Sequence, residues 1–274
     1  MSSSRKKKTN KQLKTYLAVL APILATLLLL ALILSFGRFV SAPPADTEPS
    51  ASGLREEPGE TTEPGYEIIS PTYSFDDAVL GIDVSEHQKN VDWEQVKAAG
   101  VDFVMIRIGY RGYTEGRLYM DSYFAQHYRG ARDAGLDVGV YFFSQAITPA
   151  EARMEARLLL ALLNWRKLEM GIAYDWEFVS GDARTGNMDG QTMTDCAMAF
   201  CDIIAAAGHT PLVYFNQYQA DNYYDLDELS GYDFWLAQYA DELDFPLPVK
   251  MWQYTAEGTV PGINVPVDMN LYWP

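Results

Sequence analysis

Short apolar runs alternate with amphipathic stretches from Val79 to the C-terminus of this chain of 274 residues. The pattern predicts strands that are buried on both faces and separated by surface helices, which is typical of a parallel sheet covered by helices. The predicted strands span residues 79–85, 103–110, 137–144, 170–178, 210–216, 234–240, 249–255 and 265–270. The predicted helices lie between the first five strands and span residues 92–99, 121–134, 149–167 and 190–207. Eight strands favour a closed α/β barrel over an open sheet, and the shortage of helical segments after residue 216 predicts irregular last strands.

The N-terminal part of the chain lacks this alternation. Residues 1–15 carry six basic side chains and no acidic one, and an apolar run of 21 residues follows from Tyr16 to Phe36. A helix of that length spans the ~30 Å hydrocarbon layer of a membrane, with its basic flank in the cytoplasm. We therefore expect a cytoplasmic tail at 1–15, a single-pass signal-anchor at 16–40, a proline-rich acidic linker at 41–78 and an extracellular domain at 79–274. Since Pro43 follows the nearest small-residue cleavage site, we favour a retained membrane anchor over a cleaved one that releases a secreted domain.

The charge of the globular part excludes one class of partner. The chain has 37 acidic and 21 basic residues, of which residues 80–274 hold 28 and 13. A surface this acidic repels phosphate backbones, which excludes nucleic-acid binding. Cys196 and Cys201 lie five apart in a predicted helix and point away from each other, and the three histidines are scattered along the chain. We expect neither a disulfide, a metal nor a cofactor.

Four acidic residues are predicted near one end of the barrel. Asp83 lies inside the first strand, Asp175 and Glu177 lie near the end of the fourth, and Asp268 lies in the last. In a parallel barrel, the carboxyl ends of the strands form the working face. Residues i and i+2 of a strand share a face about 6.6 Å apart, so the carboxyls of Asp175 and Glu177 should push their pKa values apart. One then stays protonated while the other stays charged, which is the division of roles that glycoside hydrolysis needs.

Aromatic and amide side chains on the same strands favour a carbohydrate cleft. Flat rings stack on sugar faces, and neutral amides hydrogen-bond N-acetyl and hydroxyl groups. The aromatic candidates are Tyr110, Tyr141, Tyr214, Trp235, Tyr239, Trp252 and Tyr254. The amide candidates are Gln88, Asn216, Gln238 and Gln253. Some of the rings are expected to belong to the core instead.

Several of these segments resemble the family 25 glycoside hydrolases, the Chalaropsis-type lysozymes. The segments that carry the likeness are Gly81–Ser85, His87-Gln88, Val91–Trp93, Phe103–Gly109, Tyr174–Glu177, Trp252–Tyr254 and Val267–Asn270. The stretch Tyr174–Glu177 matches the family's Asp-x-Glu motif. The likeness runs from about Leu80 to the C-terminus, and the order and spacing of the segments make it specific.

The resemblance implies an irregular TIM-like barrel of five β/α units followed by three strands. It also implies an N-acetylmuramidase that cleaves the β-1,4 bond between N-acetylmuramic acid and N-acetylglucosamine in peptidoglycan. By resemblance, Glu177 is the general acid/base, Asp175 assists the substrate N-acetyl group in its attack on the anomeric carbon, and Asp83 and Asp268 line the cleft. We expect a monomer that binds peptidoglycan glycan strands. The residues expected to bind substrate are Gln88, Tyr110, Tyr141, Tyr214, Gln238 and Trp252.

Three alternatives stay open at this point. In the first, Asp175 attacks the sugar directly or activates a water molecule. In the second, the same cleft belongs to a catalytically inactive domain that binds cell-wall glycans. The third, a barrel isomerase or lyase, is disfavoured because Lys250 is the only lysine inside a predicted strand and no phosphate-binding glycine loop follows the first strand.

Overall fold

The computed structural model describes Ser74, residues 77–179, Gly181 and residues 183–274. The strands are β1 (Val79–Val84), β2 (Phe103–Arg111), β3 (Leu118–Met120), β4 (Asp137–Ser144), β5 (Ile172–Trp176), β6 (Pro211–Asn216), β7 (Asp233–Ala237), β8 (Met251–Gly258) and β9 (Val267–Tyr272). The α-helices are α1 (Trp93–Ala98), α2 (Phe124–Asp133), α3 (Pro149–Leu163), α4 (Gly190–Ala206) and α5 (Gln217–Asn222). A short 3-10 helix spans Glu86–Gln88.

Eight of these strands close into a TIM-like barrel, as predicted. The sheet order is β1-β9-β8-β7-β6-β5-β4-β2, and β1 pairs with β2 to close it. Within the barrel wall, β9 runs antiparallel to both β8 and β1, and all other neighbouring strands run parallel. Five β/α units therefore precede three further strands, the arrangement that the resemblance implies.

Two features of the sheet depart from the sequence prediction. The strand β3 is an antiparallel hairpin partner of β2 and lies outside the barrel wall. The strand β9 is antiparallel, although the alternation of strands and helices predicted a parallel barrel. Both strands follow short connections that carry no helix, and such connections suffice for antiparallel neighbours.

The barrel separates two apolar cores because successive strand residues point to opposite sides. The inner core fills the barrel and consists of Phe103, Met105, Tyr141, Met170, Ala173, Leu212, Tyr214, Trp235, Ala237 and Met251. The larger outer core lies between the strands and the helices and includes Ile106, Phe142, Tyr174 and Trp176. Within the strand β5, Ala173 and Asp175 therefore face inward and Tyr174 and Trp176 face outward. A Cβ atom at position 81 would clash with the Phe103 ring, so Gly81 leaves room for that ring.

Side-chain caps set the start of the helices that cover the barrel. Thr148 accepts a hydrogen bond from the backbone of Glu151 at the start of α3, with Pro149 in the first turn. Asp189 caps α4 in the same way. Cys196 and Cys201 are both buried and unpaired.

The predicted tail at 1–15 and anchor at 16–40 lie outside the described residues, as does the predicted linker at 41–78 except Ser74, Asp77 and Ala78. Within the part of the chain that the structure describes, no helix is long and apolar enough to cross a membrane.

Candidate active site

The four predicted acids meet at one rim of the barrel. Asp83 lies near the carboxyl end of β1, and Asp268 is its direct partner across the antiparallel pair of β1 and β9. Asp268 lies at the start of β9, so the expectation that each acid occupies the carboxyl end of a parallel strand is wrong for this residue. Because β9 runs antiparallel, its first residues lie beside the carboxyl ends of the neighbouring strands. Asp268 therefore lies at the same rim as the other acids.

Asp175 and Glu177 occupy the facing wall, since β5 is four strands away from β9 around the barrel. Asp175 is 4% exposed, whereas Glu177 is only partly buried. Burial holds the pKa of Asp175 well above its usual range, and the charge of Glu177 and a hydrogen bond to its side chain add to the effect. Asp175 and Glu177 therefore behave as a pair that shares a proton.

Two amides hold the carboxylate of Asp83. Gln253 Nε2 and Asn270 Nδ2 donate hydrogen bonds to Asp83 Oδ2 over 2.9 and 2.8 Å. Burial raises the pKa of Asp83 to about 6, while the two donors oppose that shift because they favour the charged form. Asp83 is therefore charged at neutral pH.

Aromatic side chains orient the amides of Gln253 and Asn270 by donating hydrogen bonds to their oxygen atoms. Tyr214 and Tyr239 donate their hydroxyl hydrogens to Gln253 Oε1 over 2.9 and 3.1 Å. Trp235 Nε1 donates to Asn270 Oδ1 over 2.8 Å. Since each amide oxygen accepts from an aromatic donor, each amide nitrogen is turned toward Asp83. The three aromatic donors therefore help to fix the position of the Asp83 carboxylate.

Asp268 has the opposite protonation state from its neighbour. Burial raises the pKa of Asp268 to about 9, and the charges of Asp83 and Glu177 contribute in the same direction. At neutral pH the rim therefore carries a charged Asp83 beside a protonated Asp268, which offers a hydrogen-bond donor to a ligand.

A buried arginine lies on the same inner face and was missed by the sequence analysis. Arg107 donates from Nε to Asp121 Oδ2 over 2.9 Å and from Nη2 to Glu86 Oε1 over 3.2 Å. Its charge opposes the rise in the pKa of Asp175. The available signal was an arginine inside the otherwise apolar run of β2, because such a charge is buried only with partners.

An irregularity in β2 brings Tyr110 to the same side as Arg107. The register with β4 shifts between Arg107 and Gly109, so these positions depart from simple alternation. The guanidinium of Arg107 lies 4.9 Å from the centre of the Tyr110 ring, which stacks on Tyr119. Tyr110 therefore lies at the rim near the acids.

Side-chain amides also clamp the end of β5. Gln145 Nε2 donates to the carbonyl oxygen of Glu177 over 2.7 Å, and Gln219 Nε2 donates to that of Trp176 over 2.6 Å. Trp176 Nε1 donates to the carbonyl oxygen of Ala146 over 2.9 Å. These bonds hold the backbone that carries the Asp-x-Glu pair, and nothing in the local sequence around that motif indicates them.

The residues predicted to bind substrate divide into two groups. Tyr141 and Tyr214 line the interior below the acids, where Asp83 and Asp175 both raise the pKa of each phenol, although burial raises it most. Tyr110 lies at the rim, as described above. The structure therefore brings these three tyrosines together with the acids.

The other three predicted binding side chains are engaged with nearby backbone. Gln88 Oε1 accepts from the amide of Ser85, and Gln238 both donates to and accepts from the backbone of Asp244. Trp252 is 2% exposed, alternates with inward-facing Met251 and Gln253, and donates to the carbonyl oxygen of Gln238. These contacts orient loops and strand ends, and the structure does not place the Trp252 ring in the cleft.

Asp175 Oδ1 is a buried oxygen without a hydrogen-bond partner within the described ranges. Such an atom is costly unless a ligand or solvent satisfies it, so it marks a contact point for a donor. The same ranges contain no group of three or more His, Cys, Asp or Glu side chains that could hold a metal ion.

The model of the glycosyl hydrolases family 25 matches residues 82–263, about two thirds of the chain. The chain belongs to this family. It is a glycoside hydrolase of the lysozyme type, and the matched region contains Asp83, Asp175 and Glu177 but ends before Asp268.

Several proteins and solved structures are similar to this chain. The chain is 25% identical over 202 residues to the protein YegX of Escherichia coli K12, which covers 71% of this chain and 69% of that protein. It is 27% identical over 192 residues to the autolytic lysozyme of Clostridium acetobutylicum, which covers 69% of this chain and 54% of that enzyme. The structure of the autolysin LytC of Streptococcus pneumoniae with a synthetic peptidoglycan ligand matches with a TM-score of 0.64 and 26% identity. That match covers 73% of this chain, which spans about half (48%) of the LytC chain.

Proposed function

We propose that this family 25 hydrolase cleaves the β-1,4 bond between N-acetylmuramic acid and N-acetylglucosamine in peptidoglycan. The observation that carries the proposal is the pair formed by Asp175, on the inner face of β5, and Glu177, just past the end of β5, opposite Asp83 and Asp268 at the same rim. The similarity to an autolytic lysozyme and to LytC, whose structure holds a peptidoglycan ligand, supports this substrate.

Glu177 is the general acid in this proposal. It is the more exposed member of the pair, so its carboxyl can reach the oxygen of a glycosidic bond that lies across the rim. It donates its proton to the leaving oxygen as the bond to the anomeric carbon breaks. It then accepts a proton from the water molecule that completes hydrolysis.

Asp175 stabilises the N-acetyl group of the muramic acid residue. The amide N–H of that group donates to the unpartnered Asp175 Oδ1, and its carbonyl oxygen attacks the anomeric carbon to form a cyclic oxazolinium. This contact also moves the shared proton. Because a bound N–H stabilises the charge on Asp175, the proton of the pair shifts to Glu177, where the acid step needs it.

Asp83 and Asp268 complete the cleft. Charged Asp83 stabilises the positive charge that develops on the sugar, and protonated Asp268 donates a hydrogen bond to a sugar or acetyl oxygen. The amides of Gln253 and Asn270 keep Asp83 in position during this step.

The test is digestion of purified peptidoglycan, followed by reduction and identification of the new reducing-end sugar by mass spectrometry. We expect N-acetylmuramic acid at that end, whereas N-acetylglucosamine would contradict the assignment. Glu177→Gln should abolish release of reducing ends, and Glu94→Gln, at an exposed glutamate of α1, should retain it. A wild-type protein that binds peptidoglycan without cleaving it would instead favour an inactive wall-binding domain.

We also propose that residues 16–40 hold the enzyme at the cell membrane with residues 79–274 outside. The proposal rests on the basic tail and the apolar run of 21 residues from Tyr16 to Phe36. Fractionation of cells that express the full chain should recover it with membranes, and external protease should release the globular part. Recovery of a shortened protein in the medium would show cleavage of the anchor.

A further inference from the structure

Three aromatic rings form a partly exposed cluster at the rim beside Glu177. Phe178 follows Glu177 directly, Tyr218 lies in α5, and Tyr223 lies at its end. The centre of the Phe178 ring lies 6.3 Å from that of Tyr218 and 4.8 Å from that of Tyr223, and the two tyrosine rings are 5.8 Å apart. We call these three residues the aromatic platform.

The platform is fixed to the strand that carries the acid pair. The Trp176 ring packs at 89° against Phe178 with centres 4.8 Å apart. Gln219, the residue after Tyr218, is fully buried and donates to the carbonyl oxygen of Trp176. A capping box between Asn216 and Gln219 sets the start of α5. The platform is therefore held in place before any ligand binds, so binding does not need to order it.

Core packing does not account for the outermost ring. Phe178 and Tyr223 are half-buried against the outer core, but Tyr218 is 53% exposed. An exposed ring that packs against Phe178, the residue after Glu177, offers a flat apolar face on which sugar rings stack.

The distribution of charge on the enzyme also favours a glycan strand at the platform. Residues 80–274 hold 28 acidic and 13 basic side chains, so most of the surface repels the carboxylates of a peptidoglycan strand. The platform contributes only neutral side chains. The three rings therefore add no charge repulsion of their own to a glycan strand, although the exposed Asp221 lies in the same helix.

We propose that the aromatic platform is a glycan subsite that stacks a sugar ring beyond those held by the four acids. This inference rests on the proposed function, because it takes the cleft beside Glu177 as the place where the strand is cut. It assigns Tyr218 as a residue that makes the enzyme prefer long glycan strands to short fragments.

The test compares binding of peptidoglycan glycan fragments of two and of four disaccharide units by calorimetry, with Glu177→Gln protein so that neither fragment is cut. We expect the longer fragment to bind more tightly. Adding Tyr218→Ala should weaken binding of the longer fragment about fivefold, as expected for one lost stacking contact, and leave the shorter one unchanged. Tyr218→Phe, which keeps the ring, should bind like the parent.

Trp165→Ala is the matched control, because Trp165 is 99% exposed and precedes β5, at the opposite end of the barrel. Equal loss for both fragments, or no loss with Tyr218→Ala, would overturn the subsite. Failure of the proposed function would look different, since the wild-type protein would then release no reducing ends from peptidoglycan whatever the result with Tyr218→Ala.

Discussion

Asp83 and Asp268 lie opposite each other across the antiparallel pair of β1 and β9, and their protonation states differ at neutral pH. Gln253 and Asn270 both donate to Asp83, which keeps it charged with a pKa of about 6. The charge of Asp83 then adds to burial in raising the pKa of Asp268 to about 9. The register of two strands thus sets a charged acid beside a protonated one.

This pairing predicts a pH-dependent effect of Asp268→Asn on stability. The folded protein keeps a proton on Asp268 up to about pH 9, whereas the unfolded chain releases it near the usual value of 3.8. The contribution of Asp268 to the free energy of unfolding is therefore greatest below about pH 4 and declines as pH rises to about 9. Relative to wild type, Asp268→Asn should gain stability between pH 4.5 and pH 8.5.

Thermal unfolding at those two pH values measures the effect. Asp133→Asn, at an exposed residue in the last turn of α2, serves as the control and should show no such gain. If Asp268→Asn and wild type differ in unfolding temperature by the same amount at both pH values, the raised pKa of Asp268 is contradicted.

Asp175→Asn should lower kcat by about 10²-fold or more, the usual scale for losing a charge that stabilises a transition state. The Asn side chain keeps the shape of Asp175 but cannot carry the charge that holds the N-acetyl N–H. Steady-state kinetics on soluble glycan fragments measure kcat and KM separately, and we expect KM to change little.

Glycans from which the muramic acid N-acetyl group has been removed check the same step independently. The wild-type enzyme should not cleave them, since the attacking carbonyl is gone. Full activity on such glycans would instead favour direct attack by Asp175 or activation of water.

Removal of the phenol hydroxyls behind Gln253 should move the acid limb of the pH–rate profile to higher pH. The double variant Tyr214→Phe, Tyr239→Phe loses the two hydroxyl donors that hold the Gln253 oxygen away from Asp83. An amide oxygen turned toward Asp83 destabilises its charge, and the pKa of Asp83 rises above about 6.

The pH dependence of kcat/KM measures this shift. Tyr232→Phe removes a hydroxyl that donates to Asp202 on the outside of the barrel, and its profile should match wild type. A double variant with reduced activity but an unshifted profile would mean that the hydroxyls act only in packing.

Arg107→Met should destabilise the fold by about 3 kcal/mol, because it leaves a buried carboxylate without its cation. Arg107 and Asp121 are 4% and 1% exposed, and Nε of Arg107 lies 2.9 Å from Asp121 Oδ2. Urea unfolding measures the loss. Adding Asp121→Asn should recover part of it, since the unpaired charge is then removed, and the absence of any recovery would argue against the ion pair as the cause.

Features that depend on local side-chain periodicity were predictable. The strands and the covering helices followed from apolar runs and amphipathic stretches. The shared face of Asp175 and Glu177 required only the two-residue repeat of a strand, and the same repeat indicated that Tyr141 and Tyr214 face the interior. The orientation of Trp252 was less accessible, because an aromatic residue on a strand has the same local pattern whether it faces the cleft or the outer core.

The amino-acid sequence by itself determined an α/β barrel of eight strands, a neighbouring pair of acids near the end of its fourth strand, and the likeness to family 25. Closure of the barrel decided the rest: the reversed direction of β9, the contact of Asp83 with Asp268, the amides that hold Asp83 and the buried pair of Arg107 with Asp121. The physical reason is that periodicity specifies which side of a strand a residue faces, whereas partners distant in the chain meet only once strand order and register are set.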